Sequence, residues 1–551
     1  MAKEALLVVD LEGVAGVESP AAMLAGTGDY ARARALLTAE VNAAVKGLVA
    51  AGFTHVRVSD SHLSGSDAAN VLEDQLHEAA SLHFLHDWYA ETLFEGVEAV
   101  ACLGMHAPAG GAGFAAHTVA LSSRWSVGGR LVSESDLVLG LAAERGLGVV
   151  FVSGDDALEA HLGPRVPFVR TKRAVSAVQA ESRPAAEVLA ALEAAAARPP
   201  VPAPALPEGP LRLDFHLAAC AQLALRNGAS RAGPASVEVT GTTRQRYARA
   251  FRAAGAADAV LVQSVFPSPG STWMVEDAAA LLALPWSAPA VGELEALAET
   301  SLAAFRRLTS EPTDELRALR ALTLHMLEGL APRFFASHGL AGMLDEALAA
   351  AGDVPMGLGS VFDAEVLQAR IDAWYLRRLR GLPREGPEPR TVRRVLERLH
   401  ASGDVIYAWL LGALAAKAGV DVRLEYGDRP YRGESRVHDL YWVTHLLLLD
   451  VDYFAKPLSH PEATAWLAAL LAAAPWVIAH RQWDLAGELV FCLAFAGETH
   501  AAAVDALLAL LRDGQKPDGA MSDGEDGEPS AHATAAALLA FAAAHEARAG
   551  R

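Results

Sequence analysis

Ala5–Val9 is an apolar run that stops abruptly at Asp10, Glu12 and Gly13. Five apolar residues bounded by polar ones suit a strand buried on both faces and are too few for a helix. Such strands belong to sheets covered by helices, whose C-terminal strand ends share a crevice. The pattern recurs. HVRVSD ends at Asp60, Ser61 and His62, VEAVACLG runs into Met105 and His106, and LGVVFVSGDD ends in Asp155 and Asp156. Between these runs, Tyr30–Ala51 and Ser135–Arg145 have helical spacing and stop at Gly52 and Gly146, ordinary C-terminal caps. Residues 1 to about 270 are therefore expected to form an α/β domain with a largely parallel sheet. Whether the polar strand ends converge is a question the pattern raises without answering.

RPPVPAPALPEGP, residues 198–210, is too rich in proline for either regular element. Strand-like LRLDFHLA and SVEVTG and a helical ARAFRAAGAADAVLV follow it, so it reads as a loop or crossing inside the first domain. From about Val275 the pattern is helix after helix: 293–308, 313–330, 340–351, 364–380, 392–401 and 406–418 all have ordinary helix lengths. GLPREGPEPR, residues 381–390, reads as a linker within this half. A chain of 551 residues exceeds one ordinary core. The expected division is an α/β domain over 1–272 and an all-α domain over 273–551, in one body or two lobes.

Composition removes some partners. With 66 acidic against 46 basic residues and a net charge of −20, a nucleic-acid backbone or an anionic membrane is disfavoured. Cys102, Cys220 and Cys492 lie too far apart for a zinc ribbon or a disulfide framework and read as buried small hydrophobes. MAKEALLVVD lacks the layout of a signal peptide, and no apolar run approaches the roughly 20 residues of a membrane span, so a cytoplasmic protein is expected.

Asp10, Glu12, His62, His106 and Glu134 carry the chemistry. Carboxylate and imidazole donors together suit zinc, and a carboxylate can bridge two ions about 3.5–4 Å apart in a hydrolytic pair. Each residue also has an ordinary reading: a strand-end Asp caps a turn, and a lone His is a satisfied core or surface group. Asp60 either orients a histidine from behind or closes a turn, and Asp156 stands near the set. Gly104, Gly110, Gly111 and Gly113 around His106 would let backbone approach a substrate. G-G-A-G has no Lys-Ser/Thr and no helix start, which argues against a phosphate loop.

Taken in order, D-L-E-G-V-A-G, S-D-S-H, G-M-H-A, H-T, an acid before a helix and S-G-D-D resemble the D-aminopeptidase family of zinc metallopeptidases over residues 1 to about 270. The resemblance implies an α/β fold, two zinc ions per active site, removal of N-terminal D-amino acids from short peptides, and assembly into a homo-oligomer. It implies that Asp10 bridges the metals, that Glu12 binds one of them, and that His62, His106 and Glu134 complete their shells. His117 of H-T looks like the family's catalytic nucleophile; chemistry alone leaves base, acid and nucleophile open. Two positions depart from the pattern. Leu63 stands where a glycine follows S-D-S-H, and Gly128 where an asparagine precedes the ligand glutamate. These alter a rim and a substrate contact, so they bear on the D-preference more than on hydrolysis.

In the helical half, LLALLRDGQKPDGAMSD followed by SAHATAAALLAF resembles a repeat of α/α-toroid proteins, with Q-x-P-D-G as the turn between helices. Asp484 and Glu488 share a helix face and read first as a cap and an exposed acid. His445, Asp450 and Asp452 invite the same comparison. SDGEDGE, residues 522–528, lacks the ligand order of a calcium loop and reads as solvated. The expected function is two-metal peptide hydrolysis with a helical domain that restricts or presents a specialised peptide. Its rival is a binding scaffold in which the metallopeptidase fold is only a platform.

Overall fold

The first apolar run becomes β1 (Glu4–Val9), with neighbours hydrogen-bonded on both sides. In a computed structural model of the chain, residues 3–65, 68–84, 91–265, 273–310, 313–352, 364–382, 389–401, 405–417, 419–420, 436–499, 501–522 and 527–549 are described. They fall into two units, Met1–Ser287 and Ala288–Arg551. After β1 the first unit runs α1 (Gly28–Ala50), β2 (His55–Asp60), β3 (Ala80–Phe84), α2 (Glu91–Phe94), β4 (Val97–Met105), β5 (Ser123–Val127), β6 (Arg130–Leu131), α3 (Glu134–Glu144) and β7 (Gly148–Asp155). It continues through α4 (Asp156–Leu162), β8 (Phe168–Ser176), β9 (Gln179–Ser182), α5 (Ala185–Ala196), β10 (Val201–Pro202), β11 (Leu211–Phe215), α6 (Ala218–Leu225), β12 (Ser230–Gly233), β13 (Ser236–Val239), α7 (Thr243–Val265) and α8 (Trp273–Leu282).

One eight-stranded sheet has the order β3-β2-β1-β4-β7-β8-β9, with β10 pairing β7. The pairs from β3 to β8 are parallel; β9 and β10 join antiparallel at the margins. Burial follows the two-residue period of a strand. Ala5, Leu7 and Val9 join a core with Leu37 and Val41 of α1 and Leu192 of α5, while Leu6 and Val8 are buried towards the other face. Each such leucine or valine contributes on the order of 1.5–3 kcal/mol. Cys102, Cys220 and Cys492 are all buried, as small hydrophobes would be.

Two features differ from the sequence reading. LRLDF and SVEV are strands, but they belong to a separate antiparallel sheet of order β12-β13-β11-β5-β6. The proline-rich segment crosses between the two sheets: Val201–Pro202 pairs with Gly148 and Val149 before the chain runs on to β11. β8 was not legible because Arg170, Lys172 and Arg173 interrupt its apolar pattern. Arg170 and Arg173 point outward to Glu159 and Glu181, whereas Lys172 turns into the core.

The second unit contains α9 (Leu294–Leu308), α10 (Asp314–Leu330), α11 (Pro332–Ser337), α12 (Ala341–Gly352), α13 (Ala364–Leu379), α14 (Pro389–Ala401), α15 (Val405–Lys417), α16 (Arg436–Asp450), α17 (Ala463–Ala479), α18 (Trp483–Phe495), α19 (Ala502–Gly514), β14 (Met521–Ser522), β15 (Pro529–Ser530) and α20 (Ala531–Ala549). Neighbour relations close a circuit: α10 meets α13, α13 meets α15, then α16, α18 and α20 follow, and α20 returns to α10. Helices α9, α12, α14, α17 and α19 pack against members of that circuit. α14 and α19 bury one stripe each, whereas α18 is buried from Leu485 to Ala494, as two layers of helices require. The QKPDG turn packs on α9, with Gln515 Nε2 donating to Ser301 Oγ at 2.8 Å. Most of the 381–390 linker and of the acidic 522–528 segment lies outside the described residues. Asp450 closes a turn by accepting the Ser459 and His460 amides, and Asp452 pairs with Tyr375, Lys417 and Lys456. No helix among the described residues is long and apolar enough to cross a membrane.

Candidate metal centre

Parallel pairing brings the ends of β1, β2, β4 and β7 to one edge of the sheet: Val9 stands beside Asp60 and Leu103, and Met105 beside Gly154. Glycines let the strand ends close in. A Cβ on Gly13 would stand 2.1 Å from the Met105 carbonyl oxygen, and one on Gly104, whose φ is +72°, 2.1 Å from the Asp10 carbonyl oxygen. Gly13 is thus required by close approach of backbones, and Gly104 by both approach and conformation. The Gly13 amide donates to the Gly104 carbonyl at 2.7 Å, which ties the Asp10 turn to the strand carrying His106.

Around this tie the five proposed ligands and His117 come together. Asp10 turns its two oxygens in different directions: Oδ1 lies 3.2 Å from His62 Nδ1, and Oδ2 lies 3.5 Å from His106 Nε2. Glu12 Oε1 is 3.0 Å from the same His62 nitrogen, and Glu134 Oε1 is 3.6 Å from His106 Nε2. Three donor groups result, Asp10–Glu12–His62, Asp10–His106–Glu134 and Glu12–His106–His117, each with its donor atoms within 4.8 Å of one another. The ring of His117 stacks on that of His106 with centroids 4.0 Å apart, and its Nε2 lies 3.9 Å from Glu134 Oε1.

Each imidazole is held from behind by a carbonyl. The far ring nitrogens donate to Met23 O from His62 Nε2 (2.8 Å), to Ala107 O from His106 Nδ1 (3.0 Å) and to Ala115 O from His117 Nδ1 (2.8 Å), so the opposite nitrogens face the centre. Ala115 and Val119, on either side of His117, both have positive φ, +50° and +64°. That conformation is uncommon without glycine and turns the Val119 amide onto Glu134 Oε1 at 2.7 Å. Glu134 opens α3, whose capping box joins Ser133 and Asp136, so the helix N-terminus stands beside its carboxylate.

Burial penalises every charge here, and the neighbours decide the outcome. For Asp10, the His106 and His62 imidazoles outweigh burial and hold the carboxyl well below the usual aspartate range. Burial of Glu134 is likewise overcome, chiefly by His106, and its pKa is lowered. Burial would neutralise His62, but Glu12 and Asp10 raise it; burial of His106 is overcome by Asp10 and Glu134. His117 goes the other way: burial and the adjacent His106 lower its pKa.

The donor set fits zinc. Two atoms bound tetrahedrally at about 2.0–2.1 Å to one ion stand roughly 3.4 Å apart, close to the separations around His106 Nε2. That atom is buried and has no hydrogen-bond partner among the described residues, as an atom meant for a cation would be. Asp60 is engaged elsewhere. Its oxygens accept the Asn70 and Val71 amides, and the Asn70 side chain also holds the His62 carbonyl. Asp156 accepts the Ala174 amide of β8 at 2.8 Å. Gly110 and Gly113 pack against Arg124 and Asp155, so the glycines around His106 serve packing. Lys172 was missed. It donates to the Glu12 carbonyl at 2.6 Å and to that of Val17, fastening the turn from beneath, and burial pushes it down to about 7. A lysine within a charged strand segment carries no sequence signal of that role.

Residues 4–253 match a family model described as D-aminopeptidase, and residues 274–545 match one described as a domain of unknown function, DUF6895. A D-aminopeptidase of Bacillus subtilis (strain 168) is 29% identical over 168 residues, 30% of this chain; the chain spans 60% of that relative's length. Among solved structures, the Zn-dependent D-aminopeptidase DppA from Bacillus subtilis, described as a self-compartmentalizing protease, aligns with a TM-score of 0.42 and 24% identity, covering 46% of this chain and 97% of that one.

Proposed function

We propose, from the match of residues 4–253 to the D-aminopeptidase family model, that the chain belongs to that family and is a zinc-dependent aminopeptidase acting on the N-terminus of peptides. The observation that carries this reading is the divided aim of Asp10, one oxygen towards His62 and the other towards His106. A carboxylate so placed would serve two adjoining ions. Glu12 and His62 would hold one, and His106 and Glu134 the other. The chemistry such a pair supplies is Lewis-acid polarisation of an amide carbonyl and stabilisation of negative charge on its oxygen.

The protein's own groups do the rest. His117 is the proton-handling or attacking group. Its lowered pKa leaves it neutral near pH 7, Nδ1 is committed to the Ala115 carbonyl, and Nε2 is the free basic atom facing the centre. At 18% side-chain exposure it is the most accessible of the six, as a group that meets substrate should be. In this reading the helical domain restricts or presents a specialised peptide, and assembly into oligomers and preference for D-residues belong to the same proposal. Zinc analysis coupled to a panel of L- and D-aminoacyl peptides tests it. Asp10→Ala should hold two zinc ions fewer than the wild type and lose cleavage by at least about 10³-fold, as expected for loss of metal-assisted catalysis. Cleavage that survives Asp10→Ala would sink the site.

A further inference from the structure

Away from the N-terminal centre, Asp484, Glu488 and His532 each offer a donor atom within 4.8 Å of the others. Asp484 and Glu488 lie one turn apart on α18. His532 arrives from α20 by packing: a Cβ on Gly487 would stand 2.7 Å from the backbone carbon of Ala536, so the two helices meet backbone to backbone about one turn beyond the cluster.

These acids are neither the cap nor the exposed glutamate that the sequence suggested. Glu488 is 4% exposed and accepts the Thr444 hydroxyl of α16 at 2.5 Å. Asp484 Oδ2 accepts the Tyr441 hydroxyl, also at 2.5 Å. Its Oδ1 is buried and pairs with His532 Nδ1 at 3.0 Å. Neither carboxylate meets a lysine or arginine among the described residues. Among the described residues, the two acids are thus opposed by one imidazole. Side-chain exposure rises from Asp484 at 16% to His532 at 59%, so the cluster opens to solvent on the imidazole side.

We propose that Asp484, Glu488 and His532 form a divalent-cation site of the helical domain, separate from the N-terminal centre and suited to zinc. Two carboxylate oxygens and one imidazole nitrogen make a zinc-competent set, and three protein donors leave one tetrahedral position for water or for a carbonyl or carboxylate oxygen of a peptide. Tyr441 and Thr444 fix the carboxylates from behind, as supporting hydrogen bonds do around metal ligands.

The test uses the full-length chain, stripped with a chelator and titrated with Zn²⁺, with bound metal counted after gel filtration. The Asp10→Ala chain should retain one zinc ion, and Asp484→Asn/Glu488→Gln in that background should lose it. His532→Ala, a substitution at an exposed position, should weaken that ion's binding tenfold or more with the circular dichroism spectrum unchanged. The site is overturned if Asp10→Ala retains no zinc, or if the retained ion binds equally well with and without His532→Ala. Failure of the N-terminal centre reads differently, as a wild-type zinc count that Asp10→Ala does not lower.

Discussion

His117 differs from the other histidines of the centre in that burial and His106 lower its pKa, which in the proposed mechanism separates proton handling from metal holding. His117→Ala should bind zinc as the wild type does while kcat falls by about 10²–10⁴-fold, the usual worth of a positioned acid–base group. Steady-state kinetics beside a zinc count checks this, and an unchanged rate removes the role. Asp258 gives a pH prediction away from the metal. Its Oδ1 accepts the Ser122 amide at 3.0 Å, and burial pushes its pKa up to about 6 from 3.8. A carboxyl raised in the folded state contributes stability that is complete below the unfolded pKa and is lost as pH rises through about 6. Asp258→Asn keeps the acceptor and cannot ionise. Its stability relative to the wild type should therefore grow between about pH 3.5 and 7, by up to about 3 kcal/mol in urea unfolding, and level off above that. A pH-independent difference would show that folding does not raise the Asp258 pKa.

At the scale of elements, the centre depends on how α3 begins and how β1 and β4 end. The Ser133 hydroxyl accepts the Asp136 amide at 3.1 Å, and Asp136 also receives Arg130 and His161. Ser133→Ala should cost about 1 kcal/mol through the lost cap. Because Glu134 is the next residue, zinc affinity should fall roughly tenfold as its carboxylate loosens. Thermal unfolding and zinc titration measure the two effects separately. Gly104→Ala is expected to be worse. It combines a positive φ with a Cβ 2.1 Å from the Asp10 carbonyl oxygen, so loss of folded protein, at a cost above about 3 kcal/mol, is the expected outcome on expression and thermal unfolding.

At the scale of the whole chain, the restricting role proposed for the helical unit implies substrates longer than dipeptides. With the full-length protein, kcat/KM for peptides of about six or more residues should exceed that for D-aminoacyl dipeptides at least tenfold, or about 1.4 kcal/mol of transition-state binding. Equal values would remove the selective role proposed for the helical domain. Much of this architecture was legible in the sequence because it is periodic. Short apolar runs ending in acids and histidines gave β1, β2, β4 and β7, and 3.6-residue spacing gave the helices of the second half. The six residues of the centre were also legible, through the order of their motifs. What has no local signature escaped: the antiparallel sheet built from β5, β6, β11, β12 and β13, the charged strand β8, and Lys172 beneath the Glu12 turn. Sequence alone thus determined which residue types end each strand and how the two halves alternate, since these depend on spacing along the chain. Only the tertiary structure decided that Asp10 points one oxygen at each histidine and that Glu488 is buried beside Asp484 and His532, because those facts depend on strand register and helix approach between distant residues.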